Sequence, residues 1–198
     1  NSGVIHSGLY YKPGSLKAKN CIEGRHELVA FSKEYNIPHD VCGKVVVATE
    51  KKELANMDRI FAIGTENRIE GIEKINADQV RDIEPHVQSI GGIWVPCTGI
   101  VDFVAATKKM VELALAINKE SKVFIGCEVQ DIEKKDEYSI LHTSKGDFQS
   151  KYQVFCAGLQ ADRLAKKDGV DLKEKVVGFR GDYYELTPQA QHKVKNLI

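Results

Sequence analysis

The first nineteen residues, NSGVIHSGLYYKPGSLKAK, place one imidazole (His6), two adjacent phenols (Tyr10, Tyr11) and three glycines (Gly3, Gly8, Gly14) in one stretch. A neutral imidazole takes up or releases a proton near working pH, so His6 is the candidate for proton transfer. The two phenols offer hydrogen bonds to a polar ligand. The glycines let backbone approach a ligand closely or turn sharply. Pro13-Gly14 marks a turn, and Ser15 is a candidate N-cap for a helix. A loop that brings backbone N–H groups and aromatic side chains to one spot suits a cofactor or substrate site. The same residues also describe a surface loop before a helix. His6 equally suits a hydrogen-bonded structural role, and Tyr10 and Tyr11 equally suit core packing.

Two later stretches carry candidate chemistry. Val154-Phe155-Cys156-Ala157-Gly158-Leu159-Gln160-Ala161-Asp162 reads as a strand, a small-residue turn and a helix. Free N–H groups and the positive end of a helix suit a pyrophosphate, although any strand-to-helix junction shares this pattern. In Phe179-Arg180-Gly181-Asp182-Tyr183-Tyr184, a guanidinium beside two phenols can form paired hydrogen bonds to a carboxylate. The alternative is a surface Arg whose stem covers apolar area. The five other histidines and the charged run Glu133 to Glu137 read as solvated surface.

These residues need elements to position them. Ala18, Cys21, Leu28, Phe31 and Tyr35 recur at helical spacing after Ser15, and this helix should stop near Asn36, before Ile37-Pro38. Lys44 to Thr49 is a valine-rich strand. Lys51 to about Glu66 is an amphipathic helix. Asn76 with Gln79 forms a capping-box pattern ahead of a short helix that ends at Glu84-Pro85. Ile93-Trp94-Val95 is a strand bounded by Gly91-Gly92 and Pro96. Asp102 caps a helix with an apolar stripe of Phe103, Ala106, Met110, Leu113, Ala114 and Ile117. Strands are expected at Lys122 to Val129, Tyr138 to Thr143, Lys151 to Cys156 and Val176 to Leu186, with an irregularity at Gly181. A helix spans Leu159 to Lys167 and stops at Gly169. The mixture implies an α/β (α+β) fold.

The 198 residues suffice for a real core, as one large domain or two small ones. Lys+Arg and Asp+Glu are both 28, so the net charge of zero gives no global reason to bind nucleic acid or an anionic membrane. No apolar run approaches the length of a membrane span. The five cysteines (21, 42, 97, 127, 156) contain no CxxC pair and form a poor disulfide or zinc framework. Most sit in apolar surroundings, which predicts buried, reduced thiols and fits a reducing cytoplasm. The histidines form no H-x3-H pair for a metal.

The opening segment closely resembles the stretch after the first ribose-binding strand in FAD-dependent L-2-hydroxyglutarate dehydrogenases and oxidases, of the D-amino-acid oxidase and glycine oxidase superfamily. CGKVVVAT, INADQVRDIEP, GGIWVPCTGIVD, FCAGLQADRLA and FRGDYYEL match in the same order. The resemblance implies a partial FAD-dependent oxidoreductase fold, combining pieces of an FAD-binding half with a mixed or antiparallel substrate-domain sheet and helices. Residues 1–36 and 102–170 would belong to the FAD-binding half, and 37–101 with 171–198 to the substrate half. It implies FAD contacts at Asn1, Ser2, Gly3, Val129, Ala157 and Gly158, substrate contacts at Tyr10, Arg180 and Tyr183, and catalytic roles for His6, Arg180 and Tyr11.

The activity implied is oxidation of a 2-hydroxy acid, L-2-hydroxyglutarate to 2-oxoglutarate in the favoured case, with oxygen or a quinone as the electron acceptor left open. No GxGxxG occurs in the chain. The resemblance therefore implies an internal piece of a longer enzyme that would hold little FAD and be inactive by itself. Peripheral membrane association stays open for the longer enzyme. The alternatives are a related amino-acid oxidase or glycerol-3-phosphate dehydrogenase, or a non-catalytic binding module of the same ancestry.

Overall fold

The computed structural model describes residues 2–182 and 185–198. Chain contacts define two units, Asn1–Lys119 with Glu185–Ile198, and Glu120–Tyr184. In chain order the first contains β1 (Val4–Ile5), α1 (Leu16–Glu34), β2 (His39–Asp40), β3 (Lys44–Ala48), α2 (Leu54–Glu66), β4 (Glu73–Ile75), α3 (Ala77–Ile83), β5 (Gly91–Val95), β6 (Gly99–Val101) and α4 (Phe103–Ile117). The architecture mixes helices with antiparallel sheets, as expected from the sequence.

Helix boundaries follow local chemistry. Ser15 is extended and its hydroxyl accepts from the Ala18 N–H at 3.2 Å, which starts α1. Asn36 takes a left-handed conformation (φ 54°) just past the other end. The Ile37 N–H then reaches the Ser32 carbonyl at 2.8 Å and satisfies a terminal carbonyl. Arg68 (φ 55°) closes α2 in the same way, with Ile69 N–H on the Gly64 carbonyl at 3.0 Å. The Asn76–Gln79 capping box starts α3, and Asp102 caps α4 by accepting from the Val104 and Ala105 N–H groups.

One sheet has the order β1-β6-β2 and the other β3-β5-β4. In the second, Val46 pairs with Ile93 and Lys74 with Ile93 from the opposite side. Strand alternation sends Val46 and Ala48 to one face, where they pack with Leu9, Met57, Ile69, Ile93 and Val95. Val45 goes to the other face, against Ile75 and Val80 of α3. A third cluster joins Ile5, Ile37, Val101 and Ala106. Gly91 and Gly92 lie inside β5, where the sequence placed them at its boundary. A Cβ on Gly92 would come within 2.9 Å of a Val80 methyl, so the bare backbone lets α3 pack close. The stripe of α4 is only partly covered: Ala106 is buried, whereas Met110, Ala114 and Ile117 are exposed.

The second unit contains β7 (Val129–Lys134), β8 (Ser139–Thr143), β9 (Gly146–Ser150) and α5 (Ala161–Lys167), with the strands in one antiparallel meander. Three expected strands are corrected here. Residues 122–128 are irregular and the strand begins at Val129, where Thr143 supplies the pairing. Residues 151–156 and, among the described residues, 176–182 and 185–186 form no strand. A strand needs a neighbour's backbone, and Tyr152 and Val154 are exposed with no paired strand among the described residues. The cysteines are also less buried than expected: Cys156 is exposed and the other four are half-buried, all five as free thiols.

Candidate active site

A recess of about 280 Å³ in the first unit is lined by the loop from Val4 to Tyr11, together with Lys44, Thr98 and the segment at Leu197. Its size lies near the lower end of small-molecule sites, about 300–1,000 Å³. Two apolar anchors fix the loop. Ile5 and Leu9 are 1% and 2% exposed and belong to separate core clusters. Between and beyond them, His6, Tyr10 and Tyr11 are turned outward. The loop thus stores Ile5 and Leu9 in the core and presents His6, Tyr10 and Tyr11.

Four side chains hold this presentation. The Ser2 hydroxyl lies 3.1 Å from His6 Nε2. The Cys21 thiol donates to the His6 carbonyl at 3.4 Å, and burial pushes that thiol up, so it stays a protonated donor at neutral pH. The Asn67 amide donates to the Gly8 carbonyl at 3.2 Å and the Tyr11 carbonyl at 2.8 Å, tying the loop to the end of α2. The Lys44 ammonium donates to the Tyr10 phenol oxygen at 3.1 Å and lies 5.0 Å from the ring centroid.

Of the residues singled out from sequence, His6, Tyr10 and Tyr11 line the one recess, and Ser2 is bonded to His6. Asn1, Tyr183 and Tyr184 lie outside the described residues. Val129, Ala157, Gly158 and Arg180 lie in the second unit. Val129 opens β7 opposite Thr143, and Gly158 begins a 3-10 turn into α5. The Arg180 side chain is 87% exposed, with its guanidinium 2.7 Å from Asp182. Lys44, Asn67 and Thr98 were not singled out. Lys44 had a readable signal: alternation along KVVVA puts it on the face of Val46 and Ala48. Asn67 had none, because its partners are backbone carbonyls more than fifty residues away. Among the described residues no group of His, Cys, Asp or Glu is arranged to hold a metal, and no helix is long and apolar enough to cross a membrane.

Comparison with known proteins gives this geometry a context. The chain is 45% identical over 201 residues to the L-2-hydroxyglutarate dehydrogenase of Indibacter alkaliphilus, covering 100% of this chain and 49% of that protein. It is 40% identical over 204 residues to the mitochondrial L-2-hydroxyglutarate dehydrogenase of Caenorhabditis briggsae, covering 100% and 46%. The chain therefore spans about half the length of the curated relatives it matches. Among solved structures, an FAD-bound L-alpha-glycerophosphate oxidase of Mycoplasma pneumoniae superposes with a TM-score of 0.76 at 25% identity, over 84% of this chain and 45% of the other. Glycine oxidase of Geobacillus kaustophilus shares the fold, with a TM-score of 0.73 at 20% identity over 86% and 48%. The model of the family described as FAD dependent oxidoreductase matches residues 1–197, and the chain belongs to that family.

Proposed function

We propose that this chain is part of an FAD-dependent dehydrogenase or oxidase that converts a 2-hydroxy acid, L-2-hydroxyglutarate, to the 2-oxo acid. The observation that carries the reading is the convergence of His6, Tyr10 and Tyr11 on one recess, in a chain whose relatives bear that activity in their names. FAD, when bound, supplies the ring that accepts a hydride. The backbone present suits such a group in each unit taken separately. Gly3 (φ 69°) and Gly158 (φ 53°) are left-handed, and a Cβ there would meet nothing within 4 Å, so the chain is open to close approach. Asn1, Ser2 and Gly3 in the first unit are proposed contacts to the cofactor, as are Val129, Ala157 and Gly158 in the second. The functional division proposed is 1–36 and 102–170 toward the cofactor, and 37–101 and 171–198 toward the substrate.

The roles proposed for the side chains rest on their chemistry, supported for His6, Tyr10 and Tyr11 by the recess they share. His6 takes the proton of the substrate hydroxyl. If Nε2–H donates to the Ser2 hydroxyl, the lone pair is left on Nδ1 to receive it. Tyr11 orients the reacting end through its phenol, and Tyr10 binds the acid. Arg180 and Tyr183 are further proposed contacts to substrate carboxylates. The electron acceptor in this reading is oxygen or a quinone, and the five free thiols suit a reducing cytoplasm, with peripheral membrane attachment as a further option. Anaerobic mixing of the full-length protein with L-2-hydroxyglutarate, glycerol 3-phosphate or an amino acid tests the substrate. Rapid loss of the oxidised flavin band with the first alone is expected. Bleaching by either of the other two and not by the hydroxy acid defeats the reading.

A further inference from the structure

We propose that Lys44, with Tyr10, forms a subsite for the second carboxylate of a dicarboxylic 2-hydroxy acid, and so sets the preference for diacid over monoacid substrates. The proposal rests on the reading of the recess given above. Lys44 opens β3, and strand alternation puts it on the face of Val46 and Ala48. That face packs on Leu9, which brings the site loop over it. The ammonium consequently reaches the neighbouring Tyr10 phenol at 3.1 Å.

Three features make this pair a carboxylate subsite. Lys44 is the one permanent cation among the described residues that line the recess. No carboxylate among the described residues is within ion-pair distance of it, in contrast to Lys74, which is held 2.7 Å from Asp58. Its charge is thus left for a ligand. The Tyr10 oxygen accepts from the ammonium, which leaves the phenol's own proton to be donated elsewhere. Two donors 3.1 Å apart, one of them charged, match the two oxygens of a single carboxylate. The apolar wall of Val4 and Leu9 beside them lowers the local dielectric and strengthens the attraction. A monocarboxylic 2-hydroxy acid has nothing to place there and gains nothing from the charge.

The test uses the full-length protein and compares Lys44→Met and Lys44→Arg with wild type. Turnover is measured with 2-hydroxyglutarate and with 2-hydroxybutyrate, which lacks the second carboxylate. Binding of glutarate, an unreactive diacid, is measured separately by calorimetry. Lys44→Met should raise KM for 2-hydroxyglutarate about 10–100-fold, with kcat and the 2-hydroxybutyrate KM much less changed. Glutarate affinity should fall by a similar factor, and Lys44→Arg should restore part of it. An unchanged ratio of the two substrates in Lys44→Met overturns the proposal. So does an equal loss on both, which would place Lys44 at the carboxylate that all such acids share or make it structural. If the wild type oxidises neither acid, the functional reading fails by itself. Glutarate binding then still decides the subsite, since wild-type binding lost in Lys44→Met supports it and absent wild-type binding overturns it.

Discussion

The carboxylate of Glu84 accepts hydrogen bonds from the backbone N–H of Lys195 at 2.9 and 3.2 Å, across 111 residues of sequence. Glu84 is fully buried, and its carboxylate also accepts from the Asn196 N–H. The Asn196 amide donates in turn to the Cys42 carbonyl, and Leu197 pairs with β3 through the Val45 N–H at 2.8 Å and the Gly43 carbonyl at 3.1 Å. A carboxylate at the end of α3 therefore locks a distant segment onto the edge of the sheet that carries Lys44. Replacing Glu84 by Ala leaves part-buried donors without their acceptor and should cost about 1–3 kcal/mol. Glu84→Gln keeps one acceptor oxygen and should cost less. Urea unfolding of both variants measures this. Equal midpoints for Glu84→Ala and wild type would mean that Leu197 and the Asn196 amide hold the segment without Glu84.

Two glycines should respond oppositely to alanine. Gly43 has φ 86°, and a Cβ there would lie 2.1 Å from the Trp94 ring. Backbone strain and overlap act together, so Gly43→Ala should destabilise by about 2–5 kcal/mol. Gly24 lies inside α1 with nothing within 4 Å of a Cβ. Gly24→Ala should stabilise by about 1 kcal/mol, the helix preference of Ala over Gly. Thermal melts of the pair give the comparison; a stabilising Gly43→Ala would show that Trp94 can move aside at little expense.

What could be read from sequence depended on the range of the interaction. The caps of Ser15, Asn76 and Asp102 act within three residues, and each occurs where the pattern put it. The strands expected at 151–156 and 176–186 had the right apolar composition, but a strand exists only if another backbone pairs with it, and composition does not state where that backbone is. At the site, His6, Tyr10 and Tyr11 were visible because they share one short segment. The alternation of KVVVA put Lys44 on the face of Val46 and Ala48, but nothing in that strand said which loop would lie over it. Only the packing of Leu9 over β3 brings it to Tyr10. Arg180 was chosen for its chemistry beside two tyrosines, and the neighbour that determines its contact is Asp182, two residues on.

The meander of the second unit should show opposing pH responses. His142 Nδ1 lies 2.9 Å from Asp147, and that hydrogen bond, aided by the charges of Asp147, Glu133 and Asp131, raises the imidazole above its ordinary value. Glu133 is lowered, chiefly by its hydrogen bond from Lys135 and then by the charges of Lys135 and His142. For His142, folding favours the protonated form. Its contribution is complete below the unfolded value of about 6.5 and fades as pH rises through the higher folded value. For Glu133 the sign reverses: its contribution is present above about 4.3 and is lost as pH falls through the lower folded value. Proton NMR titration of His142 should give a midpoint above 6.5, and Asp147→Asn should bring it down. A titration unmoved by Asp147→Asn would assign the shift to Glu133 and Asp131 instead.

Asn67 offers the sharpest test of how the site loop is held, because its two bonds have a fixed direction. Its amide nitrogen donates to the carbonyls of Gly8 and Tyr11, and the residue is 9% exposed. Asn67→Asp is nearly isosteric but replaces the donor by an acceptor facing two other acceptors. Asn67→Ala removes both bonds without adding repulsion. At pH 7 the Asp variant should therefore be the less stable of the two, by about 2–4 kcal/mol relative to wild type. Lack of hydration and two facing carbonyls disfavour the ionised form of the introduced carboxyl, so its folded pKa rises above the unfolded value near 3.9. Its destabilisation is then fully expressed above the folded pKa and shrinks as pH falls through it, where the protonated acid donates one hydrogen bond again. Urea unfolding at pH 7 and pH 5, referred to wild type at each pH, should show this recovery for Asn67→Asp and none for Asn67→Ala. Glutarate binding to the full-length protein should weaken in both variants, since Tyr10 lies between the two carbonyls that Asn67 holds. Wild-type stability in both variants at both pH values would show that the loop is held by Ile5 and Leu9, with Asn67 a bystander.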